Sequence, residues 1–409
     1  MKRFVMFLTG CMAFAFITPA NATEKTMTVT VSNPQNEVRQ DYPVSIALKH
    51  LGLNFKVQSA LVVKNGQEMP CQLDDMNGDN SNDELAFVTD LGPKEKSSFQ
   101  IHLFSDKKGL RNYTSRVYAE MLVIDGQKKN VPIQSMSVLN DGNPYTSLYH
   151  HGPAFESELI ALRVYFDNRQ TVDAYGKFRK GLELKDTQFY PTKEQKKNGY
   201  GDDVLWVGTT AGVGTLRGWD GQSPAMITPV AKRTESIRAY GPVRTVVEVK
   251  DEGWNSNGSL LNMTTQYILY AGHRDCEVNV SFSEPLGKEL FCVGVTNVKH
   301  SEEMSDHQGL LGCWGTDWPV DVKDSAGYKQ ETVGLAVCIP KTFVRSEPAP
   351  TKDNYLYVIG KSTNNKDIHY HLAFCSANES FGFKNKDEWF GYLKNWRESL
   401  NHPCVIAIR

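Results

Sequence analysis

The chain has 409 residues, of which 22% are charged, 40% hydrophobic and 11% aromatic, and its formal net charge is -2 at pH 7. This length allows two domains, although a β-rich fold of this size can also form one. Acidic and basic residues are nearly balanced, which excludes the strongly basic surface typical of nucleic-acid binding. No nucleic-acid partner is therefore expected.

The first 22 residues have the three parts of a secretory signal peptide. Lys2-Arg3 supplies the positive start, a largely apolar segment follows over 4–17, and Ala20-Asn21-Ala22 fits a small-residue cleavage site. A lipid anchor at Cys11 is the alternative, but the segment before it is short, which favours simple cleavage. The mature protein would be periplasmic or secreted. No other segment has the ~20 continuous apolar residues of a membrane span.

Short alternating segments predict a small β-sandwich over residues 23–110. Apolar and polar residues alternate over Met27–Val31 and again over Ser98–Phe104. Asn, Gly and Pro separate the apolar segments, which is the pattern of strands joined by tight turns.

Within this unit, the segment 74–84 is an acidic loop. Four of its oxygen-bearing side chains have spacings that could surround Ca²⁺: Asp75, Asn77, Asp79 and Asp83. The loop is not an EF-hand, because Gly is missing at its sixth position and Glu at its twelfth. The alternative is an Asx-rich turn between strands. Calcium is the one cofactor that the sequence suggests.

Strand-like segments continue over residues 111–409, where they become longer, as in Val243–Val249 and Met263–Tyr270. Helical spacing is visible only over Lys386–Asn401, whose aromatic and leucine residues recur every three or four positions. The sequence therefore predicts an all-β protein, with a large second β-sandwich and a short C-terminal helix.

The segment Tyr149–Lys177 is the most informative for function. Its 29 residues include two His, two Glu, two Arg, two Asp, three Tyr and one Lys. Aromatic rings stack on sugar rings, while ionisable groups address hydroxyls and acids, so this composition indicates a sugar-binding or acid–base site. The candidate catalytic residues are His150, His151, Glu156, Glu158, Tyr165 and Tyr175. The candidate substrate-binding residues are Arg163, Asp167, Arg169, Asp173, Lys177, Asp202, Asp203 and Trp219.

Strand alternation relates several of these residues. If 159–166 is a strand, Arg163 and Tyr165 share its polar face. Neighbours in a strand point to opposite faces, so only one of His150 and His151 would face a given cleft. The alternative is a salt-bridged surface with no common cleft.

Residues 199–221 are rich in Gly but lack the spacing of a phosphate-binding loop. Glycines here would allow tight turns beside a ligand, with Trp206 or Trp219 as a stacking face. The alternative is a set of turns over a core Trp. His369 and His371 would share a strand face, a spacing compatible with a metal, but the sequence indicates no third ligand.

The chain resembles domain-of-unknown-function family 4861 over nearly the whole mature sequence. The matching motifs are His-Gly-Pro-x-x-Glu-Ser-Glu at 151–158, Arg163-x-Tyr165-x-Asp167-x-Arg169, Asp173-x-Tyr175-Gly176-Lys177, Gly201-Asp202-Asp203 and the acidic loop at 74–85. The resemblance implies an exported protein of the polysaccharide-utilisation systems of glycan-degrading Gram-negative bacteria. It also implies a β-supersandwich like those of mutarotase-type and polysaccharide-lyase proteins, a fold that does not by itself assign a reaction.

Together these observations predict action on uronate-containing polysaccharides or oligosaccharides, with β-elimination favoured. Arg163 or Arg169 would neutralise the uronate carboxylate, and His151 or His150 would remove the adjacent proton. One of the candidate tyrosines would protonate the leaving oxygen.

Other functions remain open. A hydrolase would use Glu156 or Glu158 with Asp167 as a carboxylate pair, and a mutarotase-like enzyme would use His and Glu as acid and base. A non-catalytic glycan-binding protein is the main alternative to an enzyme. A structural or adhesion subunit of an envelope complex is a third possibility.

Overall fold

The computed structural model describes residues 23–127, 129–361 and 366–409, so the predicted signal peptide and the lipid-anchor alternative lie outside the described residues. Strands make up 47% and helices 8% of the structure, which confirms the all-β prediction. Within the described residues, no helix is both long and apolar enough to cross a membrane.

The elements follow one another along the chain in three groups. The first strands are β1 (Glu24–Ser32), β2 (Arg39–Ala47), β3 (Ser59–Lys64), β4 (Gln67–Met69), β5 (Cys71–Asp74), β6 (Glu84–Leu91), β7 (Lys96–Phe104), β8 (Val117–Glu120), β9 (Leu122–Ile124), β10 (Asn130–Pro132) and β11 (Ser135–Leu139). The central strands are β12 (Ala154–Ser157), β13 (Ala161–Val164), β14 (Val172–Gly176), β15 (Asp202–Asp203), β16 (Val213–Trp219), β17 (Pro224–Ala225), β18 (Lys232–Tyr240), β19 (Arg244–Ser256), β20 (Ser259–Tyr270) and β21 (Asp275–Phe282). The last strands are β22 (Leu290–Thr296), β23 (Glu302–Ser305), β24 (Leu310–Asp317), β25 (Glu331–Cys338), β26 (Val344–Ser346), β27 (Asn354–Gly360), β28 (Asp367–Ser376) and β29 (Val405–Ile408). The helices are α1 (Leu184–Thr187), α2 (Lys193–Lys197) and α3 (Lys386–Asn401), and 3₁₀ turns lie at Leu48–Leu51 and Val322–Asp324.

The N-terminal strands form a small sandwich of two sheets, ordered β29-β1-β7-β3-β4 and β2-β6-β5. Alternation in β1 buries Val29 and Val31, which pack with Phe87 and Phe99 in a core of their own. The sequence did not suggest β29, which pairs antiparallel with β1. The C-terminal end of the chain therefore completes the N-terminal sandwich.

The larger sandwich is built from three sheets that share one buried core. A nine-stranded sheet has the order β11-β18-β19-β20-β21-β28-β25-β24-β23, and two five-stranded sheets have the orders β15-β14-β13-β12-β8 and β17-β16-β22-β27-β26. Leu162, Val247, Val293 and Leu372 represent all three sheets in that core. This arrangement agrees with the predicted large β-sandwich.

Helix α3 covers part of the outer face of the nine-stranded sheet, at the positions that the sequence predicts. The side chain of Asn385 caps its first turn by accepting a hydrogen bond from the Glu388 amide. Trp389 and Trp396 are buried, and the Trp389 indole donates to the Cys313 carbonyl at 3.1 Å. Gly334 on β25 leaves room for Trp389, since a Cβ at this position would lie 2.8 Å from that ring.

The small sandwich packs on the same outer face through a buried ionic contact. The Arg244 guanidinium on β19 donates to Asp74 at 2.7 Å and to Glu84 at 2.8 Å, both on the small sandwich. Ala86 and Val246 lie in the apolar cluster between the two parts. The small sandwich and α3 therefore stand side by side on one sheet.

Candidate functional site

Strands β12, β13 and β14 bring the predicted site residues together by antiparallel pairing. Arg163 on β13 lies opposite both Ala154 and Asp173. Leu162 and Val164 turn into the sandwich core, which leaves Arg163 on the other face, as alternation requires. The strand is shorter than predicted, because the chain leaves it after Val164 and turns over 166–169.

Arg163 is a buried ionic centre at this face. Its guanidinium donates to Asp173 at 2.6 and 2.9 Å and to Asp203 at 3.0 Å. It also donates to the hydroxyls of Tyr165 and Tyr190, each at 2.7 Å. Each nitrogen of the Arg163 guanidinium thus donates to a protein partner.

Asp203 is the least satisfied member of this centre. Burial, followed by the charge of Asp173, raises the pKa of Asp203 well above its usual range, although Arg163 opposes the shift. Its Oδ1 atom has no hydrogen-bond partner among the described residues. Burial therefore favours the neutral form of this carboxyl group, and the Arg163 guanidinium, 3.0 Å away, favours the charged form.

Three rings and a second guanidinium form a stack next to this centre. The Tyr145 and His151 rings are parallel within 4°, with centroids 3.7 Å apart, and Tyr165 stacks 5.8 Å from Tyr145. The Arg169 guanidinium lies 5.3 Å from the Tyr145 centroid and 4.8 Å from the Tyr165 centroid. Such aromatic and cationic faces are those on which sugars and acids are bound.

His150 and His151 lie in a turn and not in a strand, and of the two only His151 joins the stack with Tyr145, while His150 is fully buried. His151 has a left-handed backbone with φ 68°, and the following Gly152 is required because a Cβ there would lie 1.8 Å from the Val164 carbonyl oxygen. The His151 carbonyl accepts from the Phe166 amide at 2.8 Å. The His-Gly pair therefore fixes the imidazole against the end of β13.

The hydrogen bond of His151 defines its chemistry. Its Nδ1 lies 2.9 Å from the Tyr145 carbonyl oxygen, so Nδ1 carries the proton and Nε2 keeps its lone pair. Burial, partly offset by this bond and reinforced by the charge of Arg163, lowers the pKa of His151. The ring is therefore neutral near pH 7 and can accept a proton.

Arg169 borders an open hollow of about 500 Å³. The hollow is lined by Asn143, Tyr145, Thr146, Asp167, Asn168 and Arg169. The Arg169 side chain is 23% exposed, and it donates to Asp167 at 2.5 and 2.8 Å and to the Gly208 carbonyl at 3.2 Å. These bonds use three of the five N–H groups of the guanidinium, and Tyr145 lies within reach of the others.

Sequence reasoning missed several residues of this site. Tyr145 and Tyr190 are outside the motifs, and Trp206 was only a possible stacking residue. Tyr190 is 37% exposed, and Trp206 is 48% exposed beside Gly208, the residue that accepts from Arg169. The Asn143-Pro144-Tyr145 turn was a weak signal, because turns that present an aromatic residue are common on surfaces.

Other candidates are buried away from the hollow. Glu156 and Lys177 are fully buried and bonded at 2.6 Å, while the Tyr175 hydroxyl donates to Glu183 at 2.9 Å. His150 is also fully buried, with Nδ1 at 2.7 Å from the Gly152 carbonyl oxygen and Nε2 at 3.3 Å from Glu120. These groups face protein partners and do not line the hollow.

Three further candidates lie apart from the stack. Glu158 pairs with Arg116, and Asp202 pairs with Lys196 near the surface. Trp219 ends β16 and lies opposite Pro224, distant in topology from β13.

The acidic loop is organised by its own backbone. The Asp75 carboxylate accepts from the amides of Gly78, Asp79 and Asn80, and the Asp83 carboxylate accepts from the Met76 and Asn77 amides. These are Asx turns. Across the described ranges, no group of three or more His, Cys, Asp or Glu side chains is placed to hold a metal ion, so the calcium site stays a prediction.

The model of a family described as a domain of unknown function (DUF4861) matches residues 31–406. Among curated proteins, none matches the chain. Two similar solved structures come from Enterococcus faecalis: a protein in the glycosyl hydrolase family 38, with 9% sequence identity and a TM-score of 0.49, and an alpha-mannosidase, with 9% identity and a TM-score of 0.46. Each alignment covers 94% of this chain, but 47% of the first and 46% of the second, so the chain spans about half the length of these structures.

Proposed function

The chain belongs to the DUF4861 family, and from the geometry of its site we propose that it is an exported protein that acts on uronate-containing polysaccharides or oligosaccharides. The reaction that we propose is β-elimination. The observation that carries the proposal is the stack of Tyr145 and His151 beside the partly exposed guanidinium of Arg169.

The proposed binding mode uses the two open groups of the hollow. A pyranose ring would lie on the aromatic stack at Tyr145, since sugar C–H faces pack on aromatic rings. The uronate carboxylate would accept the N–H groups that Arg169 does not give to Asp167 or Gly208. Arg163 is unsuited to this role because Asp173 and Asp203 already compensate its charge.

Groups of this chain can accept and supply the two protons that the elimination moves. His151 Nε2 takes the proton from the carbon next to the carboxylate, and the electron pair forms a carbon–carbon double bond as the neighbouring carbon–oxygen bond breaks. The leaving oxygen takes a proton from Tyr190, whose own hydroxyl oxygen accepts from Arg163. Burial raises the pKa of Tyr190, so its hydroxyl is protonated before the reaction and can donate that proton.

Hydrolysis by a carboxylate pair receives less support. Glu156 is fully buried against Lys177, and Glu158 is engaged by Arg116, so both carboxylates are already paired with protein cations. Non-catalytic glycan binding is the second candidate function, favoured by the openness of the hollow and by the existing Arg169–Asp167 pair.

The experiment is a turnover assay of the mature protein with a panel of acidic polysaccharides and their oligosaccharides. We expect a growing ultraviolet absorbance of unsaturated uronates, and its loss in His151→Gln with unchanged thermal stability. New reducing ends without that absorbance would replace elimination by hydrolysis. Binding without either product would favour the glycan-binding alternative, and no binding would reject the proposal.

A further inference from the structure

A larger cavity lies on the other side of the nine-stranded sheet. It has a volume of about 650 Å³ and separates the start of β2 from helix α3, with β20, β21 and β28 as its floor. None of the residues around the Arg169 hollow lines it. Its size falls within the ~300–1,000 Å³ range of small-molecule sites.

Arg39 supplies an uncompensated positive charge to this cleft. Only 9% of the residue is exposed, and among the described residues its one hydrogen bond runs from Nη2 to the His402 carbonyl at 3.3 Å. In the described part of the chain Arg39 forms no ion pair, and its buried Nε has no hydrogen-bond partner. Because a buried unpaired charge is costly, this arrangement indicates that an anion completes the site.

The walls of the cleft are aromatic and rigid. The Trp396 ring stacks with Tyr392 at 6.5 Å and 11°, and its indole nitrogen donates to Asp275 at 3.1 Å. The same Asp275 accepts from His273 at 2.9 Å, so both carboxylate oxygens are used within the protein. A ligand ring can therefore pack against a wall whose orientation is already set.

Polar groups that suit hydroxyls complete the lining. Glu277 on β21 and His371 on β28 are register partners and lie on the floor, while Asn395 and Ser399 project from α3. Asn395 is exposed, and no hydrogen bond to its side chain is found among the described residues. These groups can bond the hydroxyls of a sugar acid, which an entirely apolar anion lacks, although Glu277 Oε1 also accepts from the Asn279 amide at 2.7 Å.

We propose that this cleft binds a carboxylated monosaccharide or disaccharide, with the carboxylate on Arg39 and the sugar face near Trp396. The inference goes beyond the proposed function, because it concerns different residues and requires no reaction.

The test uses isothermal titration of the full mature protein in the Arg169→Met background, where the other site is disabled. Digalacturonate is the probe, and cellobiose, a neutral disaccharide, is the control. We expect one digalacturonate site per chain and little binding of cellobiose. Adding Arg39→Met should weaken digalacturonate binding about 10- to 100-fold, the effect of losing charge-assisted hydrogen bonds.

A second variant guards against a folding defect. Asn395→Trp would fill the cleft from the exposed side of α3 while leaving Arg39 in place, and it should abolish the same binding event. Arg39→Met should not lower the thermal midpoint, because within the described part of the chain Arg39 forms only one hydrogen bond. Equal digalacturonate affinity with and without Arg39, or no binding in the Arg169→Met protein, would overturn the proposal.

Discussion

The buried ion pair between Glu156 and Lys177 predicts that Glu156 stabilises the fold and is not a catalytic residue. Glu156 accepts from Lys177 at 2.6 Å and from the Glu183 and Leu184 amides at 2.8–2.9 Å, and neither side chain of the pair is exposed. Glu156→Gln keeps an oxygen for the amides but leaves the Lys177 charge without its partner. Breaking a buried pair on one side costs about 3–5 kcal/mol of the free energy of unfolding.

The assay is urea unfolding followed by tryptophan fluorescence, with the transition slope compared between variants. Glu156→Gln should unfold at a clearly lower urea concentration, and the double variant Glu156→Gln with Lys177→Met should recover much of the loss. Glu158→Gln is the matched control, because Glu158 and its partner Arg116 are 21% and 39% exposed, and such pairs contribute about 0.2–1 kcal/mol. A Glu156→Gln protein with wild-type stability and no turnover would refute this reasoning and make Glu156 catalytic.

Three further predictions concern the site and the cleft. His151 must be neutral to act as a base, and its pKa is lowered by burial, so the acidic limb of the kcat/KM profile should lie below the usual value of about 6.5; a limb above that value would exclude it. Arg169→Lys should raise KM for a uronate substrate about 10-fold or more, because the planar donor pair is lost, while the unfolding midpoint stays close to wild type; an unchanged KM would contradict the carboxylate role. Burial alone would lower the pKa of His273, but the charge of Asp275 outweighs burial and raises that pKa. The pair should therefore stabilise the fold fully below about pH 6.5 and progressively less as the pH rises through the raised pKa. His273→Asn should remove this pH dependence of the thermal unfolding midpoint, and an unchanged pH profile would contradict the prediction.

The fold was largely predictable because its patterns are local. Helix α3 was predicted over its full length, since Trp389 and Trp396 repeat at helical spacing and both are buried. The pairing of β29 with β1 could not be inferred, because it joins segments from opposite ends of the chain. All four residues of β29 are apolar, so the sequence of this strand shows no alternation of apolar and polar residues.

The site was predictable in composition but less so in arrangement. Strand alternation indicated that Arg163 and Tyr165 lie together, and the Arg163 guanidinium donates to the Tyr165 hydroxyl at 2.7 Å. The position of Asp173 opposite Arg163 depends on the pairing of β13 with β14, which the sequence did not indicate. Spacing alone could not reveal that Glu156 turns to a buried lysine, since adjacent ionisable residues can face either a cavity or the interior. Tyr145 was missed because its contact with His151 depends on a left-handed turn.

A crystal structure of the His151→Gln protein soaked with a uronate oligosaccharide would test the central claim most directly. We predict a sugar ring against Tyr145 with its carboxylate within hydrogen-bond distance of Arg169. An empty hollow would contradict this claim if the same crystals hold the uronate elsewhere, on another surface or in the cleft beside α3.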